Sequence, residues 1–304
     1  MHYPEQIQYQ QESVKMSEIK FQDNARLAFL SDIHGNSPAL RSVLEDIQHE
    51  RCTALFMLGD IINGVDPDGC VHLLRSWSIE NGVGLFCIKG NAEAYLTTPD
   101  RDFLMKHIDT YHVDILKDMQ WYQDRLSGSN LDWIYSLADT LRWYNSYLVH
   151  DSPADRKAVQ AQTDIPASYR ELHFHGRGIS PDMAESDWAA LFEYMRTEGL
   201  HRLFCGHTHV PFYRESAGLV VCNVGSAGMP LDGDPRPSWV MIDDNEHGIQ
   251  PVSIHRVDYD ISAAMHLIDR AGDYPNFQRT GFQEAYKKMF LQGLHWREFM
   301  PNIE

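Results

Sequence analysis

Apolar positions along the chain alternate between two periodicities. Leu27-Ala28-Phe29-Leu30, Ala54-Leu55-Phe56-Met57-Leu58 and Gly84-Leu85-Phe86-Cys87-Ile88 are short unbroken apolar runs, the pattern of strands buried on both faces. Between them Leu40, Val43, Leu44 and Ile47, and then Cys70, Leu73, Leu74 and Trp77, recur at the spacing of one helix face. Ser37-Pro38 predicts an N-cap followed by proline at the first helical position. This strand-helix alternation predicts a parallel sheet whose strand ends share one edge, where such sheets bind ligands. Each of the three strands ends in a polar side chain beside a glycine: Asp32-Ile33-His34-Gly35, Gly59-Asp60 and Gly90-Asn91.

Further along, Trp121, Tyr122 and Leu126, then Trp133, Ile134 and Leu137, predict two helices separated by Ser127 to Asn130. Strands follow at Leu141 to Trp143 and Ser146 to Val149, the second ending in His150-Asp151. Residues Ser152 to Pro181 have loop composition, and a helix carrying Trp188, Leu191, Phe192 and Met195 stops at Gly199. Leu203-Phe204-Cys205 runs into Gly206-His207-Thr208-His209, with later strands at Leu219 to Asn223, Trp239 to Ile242 and Val252 to Val257. Two helices close the chain, around Ile261 to Arg270 and through Phe282, Tyr286, Met289, Phe290 and Leu294. The expected organisation is a polar tail over 1–24 and a main domain over 25–272, with a substrate-side loop and helix near 152–200. A helical extension over 273–304 would pack on that domain or, through its aromatic stripe, on a partner subunit in a homodimer.

Composition narrows the function. A chain of 304 residues with 43% apolar side chains can fill a real core. Its formal net charge of -17 argues against binding polymeric nucleic acid, so an anionic substrate must be attracted locally, by a metal. Five cysteines without a Cys-x-x-Cys pair point to reduced thiols in a cytoplasmic protein. No apolar run reaches the length of a membrane span.

A strand places residues two apart on the same side, so the Asp32 carboxylate and the His34 ring can converge beyond the strand end, a donor pair suited to a divalent transition metal. Singly, Asp60 and Asn91 read as turn residues and His150 as a core histidine. As an ordered set, Asp32-x-His34, Gly59-Asp60, Gly90-Asn91, His150 and Gly206-His207-x-His209 resemble the signature of the calcineurin-like metallophosphoesterases. Leu148 to Pro153, Asn223 to Ser226 and Asp232 to Arg236 resemble the small bacterial branch of that superfamily.

The resemblance implies an α/β fold, a four-layer α-β-β-α sandwich of two mixed sheets flanked by helices. It implies two divalent ions, Mn²⁺ foremost, with Fe, Zn²⁺ or Ni²⁺ as alternatives. Asp32, His34 and His209 would bind the first, Asp60 would bridge, and Asn91, His150 and His207 would bind the second. A metal-bridging hydroxide, with Asp60 and Asn91 as the catalytic residues around it, would attack phosphorus in small phosphodiester, phosphoanhydride or phosphomonoester substrates, diesters ahead of monoesters. Asn36, Lys89, His173, His175 and Arg236 are the candidate substrate contacts, a structural or solvated charge being the alternative for Lys89 and Arg236 and a surface position for the two histidines. Asp151 could orient an imidazole or simply close a turn.

One position departs from the resemblance. Much of the family has a proton-donating histidine after the glycine-asparagine pair, and this chain has Ala92 followed by Glu93. Alanine donates no proton. The expectation is either a substrate whose leaving group needs little protonation or an acid borrowed from the loop holding His173 and His175. The same departure sustains an alternative function, a catalytically weak or inactive scaffold, since a retromer-coat subunit resembling this superfamily also lacks that histidine. A nuclease acting on polymeric DNA or RNA suits the metal site but conflicts with the acidic balance.

Overall fold

The computed structural model describes residues 25–98, 115–153, 178–244 and 252–300. The candidate contacts His173 and His175 and the polar N-terminal tail lie outside them.

Two five-stranded mixed sheets form the centre. The first has the order β10-β9-β1-β2-β3, built from β1 (Ala25–Leu30), β2 (Ala54–Met57), β3 (Gly84–Cys87), β9 (Ser238–Asp244) and β10 (Ser253–Arg256). β1, β2 and β3 are parallel, with Leu27 opposite Ala54 and Phe29 opposite Phe56, and β9 runs antiparallel along the other side of β1. The second has the order β4-β5-β6-β8-β7, from β4 (Leu141–Trp143), β5 (Ser146–Leu148), β6 (Arg202–Cys205), β7 (Phe212–Ser216) and β8 (Leu219–Asn223). Its three inner strands are parallel and its edges antiparallel.

Strand alternation sorts the apolar side chains into layers. Leu27 and Phe29 of β1 face Phe204, Cys222 and Leu148 of the second sheet. Phe29 stacks on Phe56 at 4.8 Å and on Phe204 at 4.2 Å, tying the sheets together. Ala28 and Leu30 point the other way, onto α1 (Ser37–His49), α2 (Pro67–Asn81), α4 (Ile115–Arg125) and α5 (Gly128–Ser136). The outer face of the second sheet is covered by α6 (Glu185–Thr197) through Trp188, Leu191 and Met195. The result is a four-layer α-β-β-α sandwich. Burying each of these large side chains contributes about 1.5 to 3 kcal/mol, so the inter-sheet layer is what fixes the facing strand ends.

The last segment adds α7 (Ile261–Arg270), a short 3₁₀ turn at Pro275–Gln278 and α8 (Phe282–Gln292). Phe282, Tyr286 and Phe290 pack within the chain, against Ala264 and Ile268 of α7 and against Met229 and Leu231. All five cysteines are free and buried. No helix among the described residues is long and apolar enough to cross a membrane.

Three local expectations are corrected. The N-cap of α1 is Asn36 rather than Ser37: its side chain accepts from Ala39 N at 3.2 Å, while the Ser37 hydroxyl turns to Asp66. β7 escaped the sequence reading because it is an edge strand of alternating half-buried and exposed residues, including Arg214 and Glu215, with no apolar run. α3 (Asn91–Thr97) begins directly at the asparagine of the third strand end, where the expected turn reading ended.

Candidate metal centre

The strand ends meet between the two sheets. The loop after β1 is zipped to the loop after β2 by main-chain bonds from Asp32 N to Gly59 O at 2.9 Å, His34 N to Asp60 O at 3.0 Å and Gly35 N to Ile61 O at 3.1 Å. The loop after β6 joins them through His207 N, which donates to Asp32 Oδ2 at 2.9 Å. Glycine permits the approach: a Cβ on Gly206 would lie 2.1 Å from Ser31 Oγ and 2.4 Å from Asp32 Oδ2, and one on Gly90 would lie 2.3 Å from Asp60 N.

Asp32, His34, Asp60, His150 and His209 are all buried there. Asp32 Oδ1 lies 3.3 Å from His209 Nε2, 3.5 Å from His34 Nε2 and 3.9 Å from His150 Nε2. Asp60 Oδ2 is 3.5 Å from His150 Nε2 and 3.7 Å from His34 Nε2. Two overlapping groups of donors result, Asp32 with His34 and His209, and Asp32 with Asp60 and His150. Donors bound about 2.0 to 2.2 Å from one ion sit roughly 3.0 to 3.6 Å apart, so these spacings suit a cation. Asp32 Oδ1 is common to both groups, whereas the resemblance gave the bridging role to Asp60 alone.

The imidazoles share one device. Nδ1 of His34 meets Asn63 O at 3.0 Å, Nδ1 of His150 meets Leu58 O at 2.7 Å and Nδ1 of His209 meets Met229 O at 2.6 Å. A carbonyl can only accept, so each Nδ1 carries a proton and each Nε2 is the nitrogen turned inward. Nε2 of His34 and of His209 face each other at 3.0 Å, and Asp32 Oδ1 and Asn91 Oδ1 are buried without a hydrogen-bond partner. Converging ring nitrogens and orphaned buried acceptors are what a divalent cation would satisfy. The residues therefore fit the metal expected from the sequence. His207 and Asn91 stand at the half-buried side of the cluster, Asn91 Nδ2 donating to His207 Nδ1 at 3.2 Å.

In the metal-free chain protons take up part of this charge. Burial disfavours the His150 imidazolium, yet the Asp60 and Asp32 carboxylates outweigh it and raise its pKa to about 10. Burial likewise opposes ionisation of Asp32, but His209 and His150 hold its carboxyl well below the usual range, and His150 does the same for Asp60. Burial and the charge on His150 push His207 down to about 4.

The backbone is strained at this place. Asp32, His34, Asp60, His207 and His209 are five of the eight non-glycine residues with positive φ among the described residues. Such conformations each cost on the order of 1 kcal/mol or more and persist only where the surroundings enforce them.

Two enforcing residues escaped the sequence reading. The buried Glu93 carboxylate accepts from Gly90 N at 2.9 Å, Asp60 N at 2.8 Å, Ile61 N at 2.8 Å and Ile62 N at 3.1 Å, clamping two strand-end loops at once. A glutamate at the third position of α3 bonding back to the N-cap is half of a capping box, the one local signal that could have found it. Burial and the Asp60 charge raise the Glu93 pKa against the pull of those N–H groups. Asn223 Nδ2 reaches Gly206 O at 2.7 Å and Thr208 Oγ1 at 2.9 Å, bracing the His207 to His209 loop.

The remaining candidates lie elsewhere or are otherwise engaged. Asn36 is spent on the helix cap and on Gly228 O at 2.7 Å. Arg236 forks onto Asp234 at the surface, with 2.7 Å from Nη2 to Oδ2. Lys89 is half-buried and its main chain pairs with Ala138 at 2.8 Å. Asp151 is buried and accepts from Ser152 N. Ala92 is buried, its N–H donating to Asp60 Oδ1 at 2.9 Å.

The calcineurin-like phosphoesterase superfamily domain, as a family model, matches residues 26–246. An uncharacterized protein of Methanocaldococcus jannaschii is 26% identical over 260 residues, 80% of this chain and 91% of that protein. The solved structure of a metallophosphoesterase from Sphaerobacter thermophilus is similar with a TM-score of 0.64 and 23% identity, covering 90% of this chain and 100% of that one. A hypothetical protein from Pyrococcus horikoshii gives 0.66 and 17%, covering 88% and 98%. At such identities these two structures speak to the fold alone.

Proposed function

The chain belongs to the calcineurin-like phosphoesterase superfamily, and from that premise we propose that it hydrolyses small phosphoric esters with two divalent cations, Mn²⁺ foremost. The observation that carries this reading is the pair of overlapping donor groups around Asp32 Oδ1, with buried acceptors that no protein group satisfies. Asp32, His34 and His209 would hold one cation, and Asp32, Asp60 and His150 the other, with Asn91 and His207 completing the second. Cations there would supply Lewis-acid charge for the phosphoryl oxygens and lower the pKa of a water molecule.

The chain's own part is orientation. Fixed Nδ1–H bonds keep each imidazole Nε2 aimed inward without reorganisation, and the two carboxylates stay ionised at neutral pH. Ala92 places a methyl group where the resemblance implies a proton-donating histidine. Leaving groups that need little protonation are therefore favoured, which ranks diesters, anhydrides and aryl esters above alkyl monoesters. General acid catalysis is worth about 10² to 10⁴ in rate, so turnover should fall steeply as the leaving group becomes more basic.

Hydrolysis of bis-nitrophenyl phosphate by the Mn²⁺-loaded chain, with and without a chelator, tests this alongside Asp60→Ala. Activity lost with either supports the enzyme. No activity with any divalent metal would favour the second reading, a protein-binding scaffold that keeps the metal pocket, for which the buried methyl of Ala92 is the supporting observation.

A further inference from the structure

The bonds that hold the two imidazoles of one donor group lead on to a segment that lies beyond residues 26–246, the stretch matching the family. Asn63, whose carbonyl takes the Nδ1–H of His34, also accepts on its side-chain Oδ1 from the Tyr122 hydroxyl at 3.0 Å. That oxygen can only accept, so Tyr122 spends its one proton there. The Tyr274 hydroxyl, 2.8 Å from that of Tyr122, must then be the donor between them. Asn276 Nδ2 completes the chain, donating to Tyr274 Oη at 3.2 Å and to Asp118 Oδ2 at 2.9 Å. The bonds run in one direction from Asn276 to Asn63, an arrangement in which each strengthens the next. Both tyrosines are buried, so no water competes for these groups.

His209 is braced from the same quarter. Its Nδ1–H goes to Met229 O, and the Met229 side chain packs in the cluster formed by Phe282, Tyr286 and Phe290 of α8 with Ile268 of α7. Gly293, just past α8, accepts from Gly233 N at 2.9 Å on the same loop. His150 is held from another quarter: its carbonyl partner Leu58 belongs to the layer between the sheets.

We propose that Tyr122 and Tyr274 are positioning residues for one metal position, so that the C-terminal segment tunes the cation held by Asp32, His34 and His209 and leaves the one at Asp32, Asp60 and His150 unaffected. The inference rests on the metal-centre reading above. It assigns the C-terminal segment a task besides covering apolar surface: fixing the direction of two ligand lone pairs.

The test is Mn²⁺ binding by the full chain, followed by electron paramagnetic resonance of the free ion. His150→Asn leaves only the first position intact and His209→Asn only the second. In the His150→Asn background, Tyr122→Phe and Tyr274→Phe should each weaken binding roughly 3- to 10-fold, below the 10- to 100-fold typical of groups bonded directly to a ligand. In the His209→Asn background they should leave it unchanged. Equal weakening in both, or none in either, overturns the proposal. Absence of Mn²⁺ binding by the unsubstituted chain would instead sink the metal-centre reading itself. Should a double variant fail to fold, the imidazole N–H resonances of the metal-free Tyr274→Phe chain decide: that of His34 should shift while that of His150 stays, and the reverse or a common shift overturns it.

Discussion

The His150 side of the cluster and the His34–His209 side use the same atomic device and build it from different material. On both, an imidazole donates its Nδ1–H to a main-chain carbonyl and turns Nε2 inward. On the first side the carbonyl belongs to Leu58, whose side chain is sealed between the sheets, and the neighbouring Asp60 is pinned by the four-fold Glu93 clamp. On the second the carbonyls of Asn63 and Met229 belong to loops covered by residues 274 to 293. Ligand direction can thus be imposed by the central core or by an appended segment. The two differ in how many independent contacts must fail before the ligand swings.

The largest loss should come from removing what the two sides share. Asp32→Asn takes the charge from the oxygen common to both donor groups, so hydrolysis of bis-nitrophenyl phosphate should fall by roughly 10³-fold, the scale of losing a preorganised electrostatic group. Steady-state kinetics at saturating Mn²⁺ measures it. Persistent activity would mean that one side suffices.

Glu93→Gln should then damage the His150 side selectively. An amide in place of the carboxylate sets an N–H donor against main-chain N–H donors, and one buried unsatisfied pair costs about 2 to 3 kcal/mol in urea unfolding. Loss of Mn²⁺ affinity should be confined to the position that uses Asp60.

Proton linkage gives the next effect. His150, raised from an ordinary 6.5 to about 10, favours the metal-free fold fully below pH 6.5, and that contribution is lost as pH rises through about 10. A cation needs the neutral ring, so its affinity at this side should move oppositely, rising about tenfold per pH unit across that interval. Asp32 and Asp60, both held low, stay ionised there and add no slope. Calorimetric Mn²⁺ titrations in buffers of different ionisation enthalpy should show protons released at pH 7.5, from His150 and in part from His34, whose pKa is raised too, against burial, by the Asp32 and Asp60 carboxylates. No release would contradict the charge state assigned to His150.

The smallest expected effect concerns Asn36→Ala. It removes the α1 cap and the bond to Gly228 O, and should lower stability by about 1 kcal/mol in chemical unfolding with little change in activity. A large loss of turnover at unchanged stability would return Asn36 to the list of substrate contacts.

The features legible in sequence were the local ones. Apolar runs ending in Asp32, Asp60 and Asn91 mark strand ends because burial on both sheet faces demands unbroken hydrophobicity, and the helices of the first half announce themselves by their one-sided spacing. Asp32, His34, Asp60, His150 and His209 could be picked out because each stands within four residues of a strand end. Asn223, Tyr122 and Tyr274 could not, and Glu93 only as half of a capping box, since what matters about them is which main-chain or side-chain group they meet 15 to 152 residues away. β7 was hidden for another reason: an edge strand half in water carries no strong pattern.

Read as a string, the chain already carries the order of its strands and helices apart from β7 and α3, the chemistry offered at each strand end and the absence of a histidine after Asn91. Periodicity and residue type are properties of neighbours along the chain. Tertiary packing added that Asp32 belongs to both donor groups, that Glu93 clamps the loops after β2 and β3, and that residues 274 to 293 pack on the loops whose carbonyls meet His34 and His209. Those are distances between remote segments, set when the packed layers close around strained loops, and no local pattern encodes them.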